Sequence, residues 1–288
     1  MLVIRRGGLG DTMLMDPVLA AMRRHWEQRL GSSVELCFAG VREFADVLAA
    51  HGACDRAMSS ESLGLYALAL RDELGMRTRA RLAHYVAIAG DDPALRAVEG
   101  PEISVFDPTP QRWDQPLPLQ IGAQLRLDAR IEDAHLTRSD VQAGGAIALA
   151  PGSGAREKCW PQGRWLELAS RLAPEQETLR IVVGPTEQER DDPRNWDWPC
   201  AVHFLAELSC LELARALQTC AAFVGNDSGT SHLAAMLDVP TVAIFGAGWP
   251  RVFGPLGRRV ATVVGSGAAP PDVEVHEVLR ALAALRGG

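Results

Sequence analysis

The sequence holds none of the local cysteine patterns that announce a metal centre or a disulfide framework. Its six cysteines, Cys37, Cys54, Cys159, Cys200, Cys210 and Cys220, form no C-x-x-C pair and no cluster with histidine. Zinc ligation and disulfide stapling are therefore not indicated. Thiols scattered along a chain of 288 residues read as reduced, mostly buried small hydrophobes. No apolar run approaches the roughly 18 residues that a membrane-crossing helix needs. The opening stretch MLVIRRGGLGDTMLMDP is too short in its apolar part, and too soon interrupted by Asp11 and Asp16, to read as a signal peptide. Positive charge is not in excess: the formal net charge is −7, which argues against broad binding to nucleic acid while leaving room for a local basic pocket. Short-period repeats and low-complexity tracts are absent as well. The expectation is a soluble, cytoplasmic protein with no nucleic-acid partner.

Against these absences stands an ordinary globular composition, 47% hydrophobic and 23% charged, in a chain long enough for two domains. Short apolar runs alternate with amphipathic stretches. MLVIR (1–5) reads as a strand and is followed by a helix-like stretch to about Leu30, in which Met15, Val18, Leu19, Met22 and Trp26 recur at helical spacing. Strands are expected at 34–40, near 53–58, at 84–90 and at 103–107, with helices at about 42–51 and 118–128. After the polar, glycine-ended TRSDVQAGG (137–145), the pattern restarts. AIALA, LRIVVG, AFVG, VPTVAIFG and RVATVVG read as strands, helices lie between them, and the amphipathic VEVHEVLRALAALR comes last. Strand–helix alternation predicts parallel sheets covered by helices, so the fold class is α/β with two Rossmann-like domains. The expected division is 1–143, 144–270 and a terminal helical segment 271–288 that packs back on the first domain.

Four segments carry chemistry at the carboxyl ends of strands, where open α/β sheets bind their ligands. In FVGNDSGTSHLAAML a strand runs into a turn and a helix start, which offers free N–H groups and the positive end of a helix dipole to a phosphate. Asp227, Ser228, Gly229, Thr230 and His232 are the candidates there. A plain helix cap with a surface histidine is the alternative reading. In ALAPGSGAREKCWP, the turn with Ser153 and Gly154 supplies backbone donors and Lys158 a charge suited to a diphosphate. The spacing is not that of a Walker A loop. In IRRGGLGD, the glycines Gly8 and Gly10 precede or flank Asp11, a carboxylate placed either to deprotonate an acceptor hydroxyl or simply to cap a helix. Met13 stands where a dinucleotide fingerprint would need its third glycine. Glu187, just past a strand end, suits ribose hydroxyls or plain solvation.

Together, LVIRRGGLGDTMLMDPVLAAMR, IALAPGSGAREKCWPQGRWLELASRL and FVGNDSGTSHLAAMLDVPTVAIFGAGWPRVFGP resemble glycosyltransferase family 9, the ADP-heptose:lipopolysaccharide heptosyltransferases. The resemblance covers the first 40 or so residues and about 146–256. It implies the GT-B architecture, with two domains facing a cleft and the donor held in the second. It also implies inverting transfer of a sugar, heptose in this family, from an ADP-sugar to a lipopolysaccharide core or other saccharide, without metal or cofactor. Carried over by position, Asp11 would be the general base, with Gly8 and Gly10 in an acceptor-side loop. Ser153, Gly154 and Lys158 would line the diphosphate, and Glu187 the ribose. Asp227, Ser228, Gly229, Thr230 and His232 would hold diphosphate and sugar. The chain is shorter than typical members, the deficit lying in its first half. There Arg71, Arg77, Arg79 and Arg81 form a basic patch for acidic sugars or the inner face of the cytoplasmic membrane, or else a solvated face. A nucleotide-sugar epimerase, a non-catalytic nucleotide-sugar-binding protein and a dinucleotide oxidoreductase are the competing readings.

Overall fold

The structure is a computed structural model describing residues 1–61, 85–89, 102–134, 145–175, 178–246 and 248–287. The chain divides into two compact units, Met1–Leu136 and Thr137–Gly288. The basic patch at Arg71, Arg77, Arg79 and Arg81 lies outside the described residues.

The first unit is built on a five-stranded parallel sheet. Its central strand β1 (Leu2–Ile4) is buried throughout and lies between β2 (Cys37–Gly40) and β4 (Tyr85–Ala89). Strand β3 (Arg56–Ser59) flanks β2, and β5 (Glu102–Phe106) flanks β4. Continuous apolar runs such as LVI are what a parallel strand covered on both faces requires. The expected first helix is two: α1 (Leu9–Met13) and α2 (Asp16–Leu30). Pro17, in the first turn of α2, accounts for the break, because its ring would clash with a continuing helix and it has no N–H to donate. Val18, Leu19, Met22 and Trp26 are buried on α2 as their spacing predicts. Helix α3 (Arg42–Ala50) follows β2. Strand β2 begins later than expected because the Leu36 N–H is taken by Asp55 Oδ2 at 2.7 Å instead of a neighbouring strand. Helix α4 (Leu117–Gln124) stops short of residue 128: Arg126 adopts a left-handed conformation with φ 56°, and the Leu127 N–H turns back to the Gly122 carbonyl.

The second unit carries a six-stranded parallel sheet in the order β11-β10-β9-β6-β7-β8. In chain order these strands are β6 (Ile147–Ala150), β7 (Leu179–Val183), β8 (Val202–Ala206), β9 (Ala222–Asn226), β10 (Thr241–Phe245) and β11 (Val260–Val264). Between them lie α5 (Gln162–Leu172), α6 (Pro185–Arg190), α7 (Cys210–Gln218), α8 (Gly229–Met236) and α9 (Pro250–Phe253), and α10 (Val275–Gly287) closes the chain. From β6 the chain builds β7 and β8 on one side and then crosses over to build β9, β10 and β11 on the other, so the β6 and β9 ends form the switch point at which such sheets bind ligands. The core on one face combines Trp160, Trp165 and Leu168 with Ile181, Val224 and Ile244.

Helix α10 packs against the sheet of the second unit. Val275, Val278 and Leu282 face β9, β10, β11 and α5 within the second unit, which is where their spacing along the helix places a continuous apolar stripe. Cys54 and Cys37 are buried, and burial pushes the Cys54 thiol up to about 12. Two outcomes follow. Leu282→Ala should lower stability by about 2–4 kcal/mol in denaturant unfolding, and an unchanged midpoint would contradict this packing. Cys54 should resist alkylation at pH 8 in the folded protein and react on unfolding, because only the thiolate is nucleophilic; equal rates in both states would contradict its burial.

Candidate functional site

The site residues of the second unit are assembled around one amide. Asn226, the last residue of β9, is completely buried. Its Nδ2 donates to the Pro151 carbonyl at 2.7 Å, and its Oδ1 accepts the Trp160 N–H at 3.0 Å. Its backbone carbonyl accepts from Ser231 Oγ at 2.6 Å. The Asn226 side chain thereby fixes both ends of the turn after β6, and its backbone carbonyl, through Ser231, the first turn of α8. Trp160 packs instead of taking part in chemistry: it is buried and its indole N–H donates to the Val273 carbonyl at 2.9 Å.

With the loops fixed in this way, the predicted residues converge. Ser153 Oγ donates to the Asp227 carbonyl at 2.8 Å. Lys158 ends a short 3-10 turn, and its Nζ lies 2.7 Å from Asp227 Oδ2. The lysine is half exposed while the carboxylate is nearly buried. Ser228 occupies the N-cap of α8 in extended conformation without a side-chain cap bond, and its Oγ pairs with Thr230 Oγ1 at 2.9 Å. The start of α8 therefore keeps its dipole and its first N–H groups for a ligand. His232 sits one full turn into α8 and is 5% exposed, so it is a buried residue and not the surface side chain of the alternative reading.

Glu187 is held, not solvated. It lies in the first turn of α6, and its Oε2 accepts the Gly184 N–H at 2.8 Å. Its Oε1 stands against Gly152, where an added Cβ would come within 2.0 Å. A side chain at Gly152 would displace the Glu187 carboxylate, whereas Gly154 faces open space and accepts Arg190 through its carbonyl at 3.0 Å. Beside this turn lies a cavity of about 560 Å³, walled by Gly152, Ser153, Glu187, Arg190, Trp196 and Pro270 among others.

In the first unit, Asp11 is the third residue of α1, and its side chain caps the helix by accepting the N–H of the N-cap Gly8. Its Oδ2 accepts the Gly8 N–H at 3.0 Å, and its Oδ1 accepts Arg5 Nη2 at 3.0 Å. Gly10 lies inside α1, where its carbonyl accepts the Leu14 N–H. The steric demand falls on Gly7, where a Cβ would meet that of Asp11 at 2.6 Å. Gly152 and Arg5 are site residues that the sequence did not single out, and Asn226 and Gly7 were visible in it only as turn residues. Among the described residues, no group of three or more His, Cys, Asp or Glu could hold a metal ion, and no helix is long and apolar enough to cross a membrane.

The sequence profile of Glycosyltransferase family 9 (heptosyltransferase) matches residues 104–282, more than half of the chain. This chain belongs to glycosyltransferase family 9. It is 32% identical over 148 residues to lipopolysaccharide heptosyltransferase 1 of Pseudomonas aeruginosa, a stretch covering 51% of this chain and 40% of that protein. To lipopolysaccharide heptosyltransferase 1 of Escherichia coli (strain K12) it is 28% identical over 136 residues, 47% of this chain and 43% of that one. In these alignments the chain spans less than half the length of the curated relatives it matches. Its fold is that of E. coli heptosyltransferase WaaC solved with ADP, at a TM-score of 0.72 and 17% identity over 99% of both chains. E. coli ADP-heptose lps heptosyltransferase II gives a TM-score of 0.74 at 19% identity, over 99% of this chain and 98% of that one. The architecture is accordingly GT-B, two Rossmann-like units with parallel sheets.

Asn226→Ala would orphan the Pro151 carbonyl and the Trp160 N–H in a buried position. At about 1–3 kcal/mol for each unsatisfied group, it should destabilise the protein by about 2–5 kcal/mol in denaturant unfolding. An effect below about 0.5 kcal/mol, the size of an ordinary surface change, would contradict the role given to Asn226.

Proposed function

We propose that this protein is an inverting glycosyltransferase that moves heptose from ADP-heptose to a lipopolysaccharide core or a related saccharide acceptor, with no metal in the transfer step. The observation that carries the reading is the meeting of Lys158 with the uncapped start of α8, next to a carboxylate fixed at the end of β7. A diphosphate needs positive charge and N–H donors together. Lys158 supplies the first; the start of α8, where Ser228 makes no side-chain cap bond, supplies the second. Glu187, held by the Gly184 N–H and lying against Gly152 of the turn after β6, is a carboxylate suited to ribose hydroxyls. The names of the relatives, lipopolysaccharide heptosyltransferases, and of a structural neighbour bound to ADP support the choice of donor and acceptor.

In this reading the acceptor hydroxyl oxygen attacks the anomeric carbon of the donor sugar, and its proton passes to the Asp11 carboxylate. The bond from that carbon to the diphosphate oxygen breaks on the opposite face, the anomeric centre inverts, and ADP leaves with the electron pair. Lys158 and the α8 N–H groups stabilise the charge that develops on the leaving oxygen, the kind of preorganised field that does most of the work in such displacements. Asp227 pairs with Lys158 at 2.7 Å. An incoming diphosphate competes for that lysine.

Calorimetric titration with ADP, UDP, GDP and NAD, without added metal, tests the donor reading. The expected result is selective ADP binding that weakens about tenfold to a hundredfold in Lys158→Ala, the value of one charge-assisted contact. NAD binding alone, or no binding, would overturn it. Asp11→Ala should leave ADP affinity intact and lower transfer by about 10²- to 10⁴-fold, as loss of a general base does. Undiminished transfer would remove Asp11 from the mechanism.

A further inference from the structure

The geometry points to Arg5 as a positioning residue for the Asp11 carboxylate. This inference rests on the reading of Asp11 as the base and adds the device that aims it. Arg5 directly follows the central strand β1 and is 3% exposed, an unusual burial for an arginine. Its backbone N–H donates to the Ala39 carbonyl at 3.0 Å, which continues the β1–β2 pairing by one residue. The guanidinium is divided between two partners. Nη2 donates to Asp11 Oδ1 at 3.0 Å, and Nη1 reaches Met15 Sδ at 3.2 Å.

Asp11 is therefore gripped on both oxygens, by Arg5 on Oδ1 and by the Gly8 N–H on Oδ2. Gly7 lets the chain pass close to the Asp11 Cβ. The side chain nevertheless stays 44% exposed. A carboxylate oxygen has room for two hydrogen bonds. One donor on each oxygen from the protein side leaves a second acceptor position on each for a substrate hydroxyl. Burial by itself pushes the Arg5 guanidinium down, and the Asp11 charge pushes it back up. Removing Asp11 would leave the Arg5 guanidinium buried and uncompensated, whereas the carboxylate itself is nearly half exposed. The two donors hold Asp11 in one orientation before substrate arrives, which is how a reacting group is kept within productive geometry. Gripping both Asp11 and Met15 uses the planar fork of arginine; a lysine carries the charge without the fork.

The test is steady-state transfer measured as ADP release from ADP-heptose, with heptose-deficient lipopolysaccharide as acceptor, on the full chain. Arg5→Met should lower kcat by about 10- to 100-fold, as misplacing a reacting group does, with donor KM and calorimetric ADP affinity unchanged. Arg5→Lys, which keeps the charge without the fork, should recover only part of the loss. In an Asp11→Asn background, Arg5→Met should cost nothing further, since residues acting as one unit are not additive. A purely structural role would instead lower the melting temperature and multiply with Asp11→Asn. Wild-type kcat in a folded Arg5→Met variant, or multiplicative losses in the double variant, would overturn the proposal. If Arg5→Met fails to fold, Arg5→Gln against Arg5→Lys carries the same comparison. Full activity in Asp11→Asn alone would instead overturn the reading of Asp11 as the base, so the two failures are distinguishable.

Discussion

The second unit depends on a single buried amide. Asn226 ends β9 with no exposure to water, and a buried amide is tolerable only when its donors and acceptor are used. They are used to join the turn after β6 to the end of β9, while the backbone carbonyl of the same residue holds the first turn of α8. The position of Lys158, of the Ser153 hydroxyl and of the helix start all follow from that connection. Without it, the two loops at the sheet's switch point would be surface segments free to move independently, and the groups suited to a diphosphate would not converge. The bonds that set the site are the ones hidden beneath it.

The first unit solves a similar problem with charge. Arg5 and Asp11 lie on either side of a glycine turn, and the turn is tight because Gly7 allows α1 to start directly above β1. In both units a strand end presents a polar group that is satisfied from within the protein. One face of the functional carboxylate or helix start is left toward solvent. This division between a buried anchored side and an open side is what preorganisation means in physical terms.

Much of this was legible in the sequence. The alternation of apolar runs with amphipathic stretches gave the parallel sheets, since VAIF and LVI could hardly be anything but strands covered on both faces. The turns with Asp11, Lys158, Glu187 and Asp227 fell at strand ends because that is where the pattern changes period. The rest was hidden for identifiable reasons. Asn226 stood in view inside the N-D-S-G turn, but only the three-dimensional partners Pro151 and Trp160 distinguish a buried clamp from a turn asparagine. Gly152 matters and Gly154 does not because of where Glu187 reaches, a contact across 35 residues that no local motif encodes. Arg5 reads as an ordinary charge after a strand until its burial is known. His232, whose plain alternative is a surface side chain, is inside because every residue of α8 from Ser231 to Met236 is buried. Pro17, by contrast, was a visible break in the first helix, and its rule could have been applied from the sequence alone.

The most direct test of the account is the crystal structure of this protein with ADP. The diphosphate should lie against the N–H groups at the start of α8, with Lys158 Nζ turned from Asp227 Oδ2 toward a phosphate oxygen and Glu187 on the ribose hydroxyls, while the Asn226 bonds to Pro151 and Trp160 stay as they are. A nucleotide bound away from the β6 and β9 ends, or a Lys158–Asp227 pair left unchanged beside a bound diphosphate, would contradict it.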